Sequence, residues 1–254
     1  AEKIARLDVM EAVLLGQRDD GAPSAMALRQ SLAATGVSPV HATDLLIAFR
    51  RDATKNRYDT IDDLYNYCRY SAVPVGRYVL DLHRESHECY SASDALCIDL
   101  QVLNHMQDCA KDLAELDRCY LPQALLDHFG SSTADLRRNE ETPALRRVFV
   151  TLLDRIDRLL QAAAELPDIA RDRRLRVETG VIVGLARRLA RRRRRRTLGV
   201  ALAAPADVRR RVAHGRRAAA GRARDAGDAG AGRRVARGRR AAALGDVRRR
   251  ARAA

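Results

Sequence analysis

The sequence predicts an all-α domain followed by a segment of different composition. Apolar residues recur at 3.6-residue spacing along most of the first 190 residues, as in helices packed on a core. No convincing strand pattern interrupts them. The connectors are short and rich in Gly, Pro, Ser or Asp, as at Leu121-Pro122. Helices are predicted over residues 1–16, 24–34, 41–51, 61–69, 75–87, 93–114, about 139–165 and 168–190.

Individual helices carry further signals. The first places Ile4, Leu7 and Met10 at helical spacing and gives way to the loop GQRDDGAPS, which is typical of a surface turn. The helix over 93–114 is preceded by serines, and Ser91 or Ser93 would cap it well.

The net charge of +14 hides two unlike segments. Residues 191–254 hold 22 arginines and four aspartates, which leaves 25 basic and 29 acidic residues in 1–190. The first segment is therefore an ordinary, mildly acidic globular chain, long enough for one domain with its own core.

The segment 191–254 contains no lysine, no Phe, Tyr or Trp, and no cysteine, and most of it is Arg, Ala and Gly. Three interpretations remain open. An arginine-rich arm could bind nucleic acid, although such arms usually include lysine and stacking aromatics. A low-complexity, disordered extension follows from the lack of core-forming residues. We favour out-of-frame translation of a GC-rich gene, because GCG, CGC and GGC are the same bases in three frames and encode Ala, Arg and Gly.

Four polar residues carry the strongest functional pattern. Gln101, Asn104, Asp108 and Asp112 in QVLNHMQDCAKD are spaced so that one helix face presents all four. Two like charges one turn apart repel by about 0.2–0.5 kcal/mol in an isolated helix. A cation between them would remove this cost, and carboxylate and amide oxygens suit Mg²⁺. A solvated acidic face is the alternative interpretation.

Three motifs in order resemble the squalene/phytoene synthase family, the head-to-head prenyl synthases. QVLNHMQDCAKD resembles the family's second aspartate-rich motif, YCRYSAVPVGR at 67–77 resembles its prenyl-tunnel motif, and DRCYLP at 117–122 resembles its R-x-Y-L-P element. The resemblance covers roughly residues 1–190. It implies a class I isoprenoid synthase fold, which is a helical bundle around a central cavity.

Details of these motifs are most similar to the bacterial hydroxysqualene synthases of hopanoid biosynthesis. They are TKNRY at 54–58, the Arg-Tyr-Ser-Ala-x-Pro-Val-Gly version of the tunnel motif, and Asn-His-x-Gln-Asp-Cys around Asp108. The sequence departs from the family pattern at two points. Gln107 lies where relatives often carry Arg. No first aspartate-rich motif is found, since Asp19-Asp20 lies in the turn-like loop, so we expect the bundle to be incomplete here and the chain to begin just after that motif.

The resemblance implies roles for particular residues. Asp108 and Asp112 are the expected Mg²⁺ ligands, Asn104 and Gln101 the residues that orient the diphosphate or metal-bound water, and Tyr67 a catalytic residue beside the carbocation. Other expected substrate contacts fall into two groups, which are Lys55, Arg57 and Arg118 for the diphosphate, and Ala72, Val75 and Gly76 for the prenyl chain.

The expected reaction is ionisation of presqualene diphosphate, rearrangement of the carbocation and capture by water to give hydroxysqualene. Alternatives within the family are condensation of two farnesyl or geranylgeranyl diphosphates to presqualene diphosphate, dehydrosqualene or phytoene. Alternatives of another class are an inactive fragment and a nucleic-acid-binding protein that uses the basic tail. We expect no nucleic-acid partner.

Cysteine usage and hydropathy predict the compartment. The five cysteines lack any zinc-type C-x-x-C spacing and are odd in number, which favours reduced core thiols. No apolar run approaches the length of about 18 residues that suggests a membrane span, and no signal peptide is found. The sequence therefore predicts a cytoplasmic protein without a transmembrane segment, with peripheral membrane contact for its lipid product.

Overall fold

A computed structural model gives the fold and describes residues 1–138 and 141–202, all of whose regular elements are helices. The α-helices are α1 (Glu2–Leu14), α2 (Pro23–Thr35), α3 (Val40–Asp52), α4 (Ile61–Ser71), α5 (Val73–Leu82), α6 (Tyr90–Leu116), α7 (Gln123–His128), α8 (Pro143–Ala163), α9 (Leu166–Ile169) and α10 (Arg173–Leu202). Two short 3₁₀ helices lie at His87–Cys89 and Thr133–Arg137. The predicted all-α class is confirmed.

The long helix α6 packs against α4, α5, α8 and α10. Its 27 residues reach about 40 Å at 1.5 Å per residue. Val102 and Met106 on α6 are each 1 % exposed, and Leu152 and Ile156 on α8 are fully buried against the same core. Because this apolar side is buried, the polar motif face of α6 is held in a defined orientation.

The start of α6 differs from the prediction. The helix begins at Tyr90, so Ser91 and Ser93 lie inside its first turns and neither caps it. Ser86 acts as a cap instead, because its hydroxyl accepts a hydrogen bond of 3.2 Å from the Glu88 N–H at the preceding 3₁₀ helix. The 3₁₀ helix is followed directly by α6, so the helical segment starts earlier than the serines predicted.

The end of α5 also differs from the prediction. The helix ends at Leu82 because Arg84 adopts a left-handed backbone with φ of 56°, which an α-helix does not continue through. The next residue, Glu85, is buried, and its carboxylate accepts hydrogen bonds of 2.7–3.0 Å from the Arg171 and Asp172 N–H groups. The turn is therefore held by backbone groups that precede α10.

The loop between α1 and α2 is a surface turn, as the sequence predicted. Asp19 accepts a hydrogen bond of 2.6 Å from Arg29, and Asp20 pairs with Arg18. The Asp19 and Asp20 side chains are 85 % and 76 % exposed. Their carboxylates are engaged by arginines.

Helix α10 continues past the predicted domain boundary at residue 190. α10 runs to Leu202, and the compact unit ends at the same residue. Arg194 forms ion pairs of 2.8 Å with Asp154 and 2.7 Å with Asp157, so the first arginines of the basic segment pack on α8. The remainder of the predicted low-complexity tail lies outside the described residues.

All five cysteines are free thiols, four of them buried. Within the described ranges, no helix combines the length and the apolar character that crossing a membrane requires.

One buried carboxylate on α6 predicts how stability depends on pH. Asp99 is fully buried, and neither of its oxygens has a hydrogen-bond partner. Burial, and then the charge of Asp157, raise its pKa to about 7. The folded protein therefore holds a proton on Asp99 that the unfolded chain, with an ordinary pKa near 4, has released. Stability should fall as the pH rises from about 4 to about 7 and level off above that range.

Replacing Asp99 with asparagine should remove this decline. We expect Asp99→Asn to gain stability relative to the wild type at about pH 8 and to gain much less at about pH 5, measured by urea unfolding. Glu115→Gln, on the exposed face of the same helix, is the matched control and should show no such change. A wild-type-to-variant difference that stays constant across this range would contradict the assignment.

Candidate active site

The four polar motif residues lie on one side of α6, as predicted. Asn104 and Asp108 are exposed, and Gln101 and Asp112 are half-buried, whereas Val102, Leu103 and Met106 between them are buried in the core. The helix is amphipathic because its polar and apolar residues each follow the 3.6-residue period. Two carboxylates and two amides are thus presented together along the helix surface.

The charge of Asp108 acts on the neighbouring carboxylate of Asp112. Burial, and next the charge of Asp108, raise the pKa of Asp112, while Arg118 and Lys111 act in the opposite direction. A divalent cation between the two carboxylates would reverse the repulsion.

The carboxylate pair suits Mg²⁺ in number and chemistry. Within residues 1–138 and 141–202, no group of three or more His, Cys, Asp or Glu side chains is arranged to hold a metal. Mg²⁺ typically takes one or two protein carboxylates and completes its six positions with water and substrate phosphate. Two oxygen-donor side chains are therefore a sufficient protein contribution.

A buried cluster of rings lies against α6. The hydroxyl of Tyr67 on α4 donates to both oxygens of Asp52 at 3.1 Å. The Tyr120 ring stacks on Tyr58, with centroids 5.2 Å apart, and on His105, with centroids 3.6 Å apart. All three tyrosines are 5 % exposed or less. Tyr67 is therefore held rigidly, with its hydroxyl engaged by a carboxylate.

His105 is neutral in this cluster. Burial, and next the charge of Arg118, lower its pKa to about 3. Its Nε2 atom is buried without a hydrogen-bond partner. The imidazole therefore acts here as a flat, uncharged ring stacked on Tyr120.

Asp52 is the residue of this site that sequence reasoning missed. It ends α3, and its carboxylate lies 3.2 Å from Arg118 Nη1. Burial raises the pKa of Asp52, and Arg118 and the hydroxyls of Tyr67 and Tyr120 partly offset that effect. A carboxylate at a helix C-terminus is unfavourable for the helix dipole, and this was the available signal that Asp52 has another partner.

The predicted diphosphate contacts lie near this cluster but are already paired. Arg118 contacts Asp52 and donates to the Tyr120 hydroxyl at 3.2 Å. Lys55 lies 2.7 Å from Asp63, and Arg57 lies 2.7 Å from Asp117. A diphosphate at these side chains would have to compete with the carboxylates, so their role in binding stays a prediction.

Backbone pairing explains why two distant motifs meet. The Cys119 N–H donates to the Asn56 carbonyl at 2.9 Å, and Arg57 and Cys119 form a parallel β-bridge. Asp117 has a left-handed backbone that ends α6 and turns the chain back. The Arg118 N–H donates to the Asp112 carbonyl at 3.2 Å, which ties Arg118 to the end of the motif helix.

The predicted prenyl-tunnel residues occupy different environments. Val75 is 50 % exposed, and Ala72 is half-buried between α4 and α5. Gly76 faces α6, where an added Cβ would lie 2.5 Å from Cys97 Sγ and 2.6 Å from Ser93 Oγ. The absence of a side chain at Gly76 therefore permits close helix packing, and its role beside a prenyl chain remains a prediction.

Comparison with known proteins identifies the family of this chain. The family model for squalene/phytoene synthase matches residues 1–231. The hydroxysqualene synthase of Rhodopseudomonas palustris is 47 % identical over 189 residues, which are 74 % of this chain and 64 % of that protein. The hydroxysqualene synthase of Zymomonas mobilis is 42 % identical over 190 residues, which are 74 % of this chain and 64 % of that protein. The chain thus spans less than two thirds of either relative.

Solved structures show the same fold. A squalene synthase of Alicyclobacillus acidocaldarius has 35 % sequence identity and a TM-score of 0.61, with 74 % of each chain covered. This likeness shows the same helical fold. The chain belongs to the squalene/phytoene synthase family.

Proposed function

We propose that this chain carries a prenyl synthase site that ionises presqualene diphosphate and yields hydroxysqualene, with Mg²⁺ as cofactor. The observation that carries the proposal is the pair Asp108 and Asp112 on one face of α6, with Arg118 held at the end of the same helix by its hydrogen bond to the Asp112 carbonyl. The identity of 42–47 % to hydroxysqualene synthases supports this branch over others.

The motif residues would bind different parts of the metal–diphosphate group. Asp108 and Asp112 would hold Mg²⁺, which when bound neutralises the charge on the departing diphosphate. Asn104 and Gln101 have neutral amides that can orient phosphate oxygens or water without adding charge. Breaking the C–O bond leaves the electron pair on diphosphate and a carbocation on the C30 skeleton.

The cluster of aromatic rings would stabilise the carbocation. Tyr67 and its neighbours offer π-faces, which attract cations, and their burial limits early capture by water. After rearrangement, a water oxygen bonds to the cationic carbon and loses a proton, so that hydroxysqualene and diphosphate are the products. No reductant is consumed.

A product assay tests this proposal. Purified chain is incubated with Mg²⁺ and either presqualene diphosphate or farnesyl diphosphate, and the products are separated by chromatography. We expect hydroxysqualene from presqualene diphosphate. Presqualene diphosphate or dehydrosqualene made from farnesyl diphosphate, with no hydroxysqualene from the first substrate, would favour the condensation reaction instead.

Contact with a membrane surface is part of the same proposal. Val177, Val181, Leu185 and Leu189 on α10 recur every four residues and are 38–68 % exposed. Exposed arginines are frequent on the same helix, and its only acidic residue is Glu178. An apolar stripe beside arginines suits peripheral contact with anionic lipid, where a C30 product would be released.

A further inference from the structure

One histidine joins the motif helix to the cluster of aromatic rings. His105 follows Gln101 on α6 by four residues, so the two residues lie on the same side of the helix. The His105 ring stacks on Tyr120, with centroids 3.6 Å apart, and its centroid lies 5.8 Å from that of Tyr67. His105 is 7 % exposed. Its imidazole is therefore held next to the rings that would stabilise the carbocation.

The Nε2 atom of His105 has an unused hydrogen-bonding capacity. It is buried and forms no hydrogen bond with any residue of 1–138 or 141–202. Buried polar atoms of folded proteins nearly always have a hydrogen-bond partner, and a bound water supplies one where the protein does not. Nε2 is therefore suited to hold a water molecule or the hydroxyl group of a ligand.

The charge state of His105 makes Nε2 a proton acceptor. Burial, and next the charge of Arg118, lower the pKa of His105 to about 3, so its imidazole is uncharged at neutral pH. In the tautomer with the proton on Nδ1, the Nε2 atom has a free lone pair. Water that has bonded to a carbocation is a protonated alcohol, which is a far stronger acid than this imidazolium. Transfer of its proton to Nε2 is therefore favourable.

Other polar groups of the cluster are less suited to accept that proton. Burial raises the pKa of Tyr58 and of Tyr67, so both hydroxyls keep their protons. The Asp52 carboxylate accepts hydrogen bonds of 3.1 Å from the Tyr67 hydroxyl and lies 3.2 Å from Arg118. Its charge is thus already balanced by donors of the protein. The lone pair of His105 is not engaged in this way.

We propose that Nε2 of His105 holds the water molecule that captures the rearranged carbocation and accepts its proton. The water oxygen bonds to the cationic carbon, one O–H bond breaks, and the proton moves to Nε2. Hydroxysqualene and an imidazolium result, and the imidazolium then returns the proton to solvent. The inference rests on the proposed function, since it names the residue that completes the same reaction.

The products formed by His105→Phe test this role. Phenylalanine keeps a flat ring that can stack on Tyr120 but has no nitrogen to hold water. The full chain is incubated with presqualene diphosphate and Mg²⁺ in water enriched in oxygen-18, and wild-type hydroxysqualene should carry the label. In His105→Phe the proportion of hydroxysqualene should fall roughly 10-fold or more, in favour of hydrocarbons formed by loss of a proton from carbon. The rate of diphosphate release should change less than about 3-fold, because ionisation precedes water capture.

A second substitution separates hydrogen bonding from packing. His105→Gln has a side-chain oxygen that accepts a hydrogen bond from water, but it lacks the aromatic ring. It should therefore retain more hydroxysqualene than His105→Phe. More hydroxysqualene from His105→Phe than from His105→Gln, with diphosphate release falling in parallel, would mean that His105 only packs against Tyr120, and would overturn the inference. Thermal unfolding of both variants measures how far each substitution destabilises the fold.

Nitrogen-15 NMR of the wild-type chain with labelled histidine tests the acceptor without catalysis. The spectrum of His105→Gln identifies the His105 signals. They should show an uncharged ring with its proton on Nδ1 from about pH 5 to about pH 8. A proton on Nε2, or an unchanged proportion of hydroxysqualene in His105→Phe, would overturn the role of His105 and leave the proposed reaction standing. A wild-type chain that forms no labelled hydroxysqualene would instead refute the proposed reaction, and the role of His105 with it.

Discussion

Replacing Asp108 with asparagine should lower the rate of prenyl diphosphate ionisation by roughly 10²- to 10³-fold. Asparagine keeps the size and an oxygen ligand but removes the negative charge that would retain Mg²⁺. Asp112→Asn should have a similar effect, because in the proposed site both carboxylates would bind one cation. The rate of product formation at several Mg²⁺ concentrations is the measurement, and the variants should require more metal.

A second measurement, of Mg²⁺ binding, distinguishes loss of the metal from other causes of lost activity. Mg²⁺ binding by calorimetry in the presence of pyrophosphate should weaken in Asp108→Asn and Asp112→Asn. Glu178→Gln removes a charge from an exposed residue of α10, outside the motif helix, and should leave both readouts unchanged. Wild-type activity in Asp108→Asn would refute the metal assignment.

Replacing Gly76 with alanine should destabilise the fold by about 1–3 kcal/mol. The new Cβ would lie 2.5 Å from Cys97 Sγ and 2.6 Å from Ser93 Oγ, both on α6. α5 cannot withdraw freely, because Arg77 forms an ion pair with Asp94 at 2.5 Å just beside the contact. In a chain of this size the melting temperature should fall by about 2–4 °C for each kcal/mol.

A second helical glycine provides the matched control. Gly184 on α10 is exposed, and an added Cβ would meet nothing within 4 Å. Gly184→Ala should therefore stabilise the protein by about 0.5–1 kcal/mol through helix propensity alone. Thermal or urea unfolding of both variants is decisive, since Gly76→Ala as stable as Gly184→Ala would mean that α5 and α6 are not tightly packed there.

The periodic segments were the predictable part of this fold. Each helix buries one stripe of apolar residues, and those residues recur in the sequence at the helical period. The motif face of α6 was predictable for the same reason, since residues three and four apart share a helix face. Helix ends were less predictable, because they depend on local backbone conformation, such as the positive φ angles of Arg84 and Asp117.

The partners of charged residues were not predictable from spacing. Lys55, Arg57 and Arg118 were expected to be available to a diphosphate, and the structure pairs them with Asp63, Asp117 and Asp52. Asp52 and Arg118 are 66 residues apart in the sequence. No local period relates such positions, so only the packing of α3 against the chain that follows α6 brings them together.

The sequence by itself determined the helical class, the family and the face of α6 that carries Asp108 and Asp112, because local periodicity and motif order encode all three. Only the tertiary structure decided that Gly76 serves helix packing, that Asp52 joins the site and that three arginines meet beside Gln107. These are contacts between different helices. Their energies depend on distances in space, and the spacing of residues along the sequence does not determine those distances.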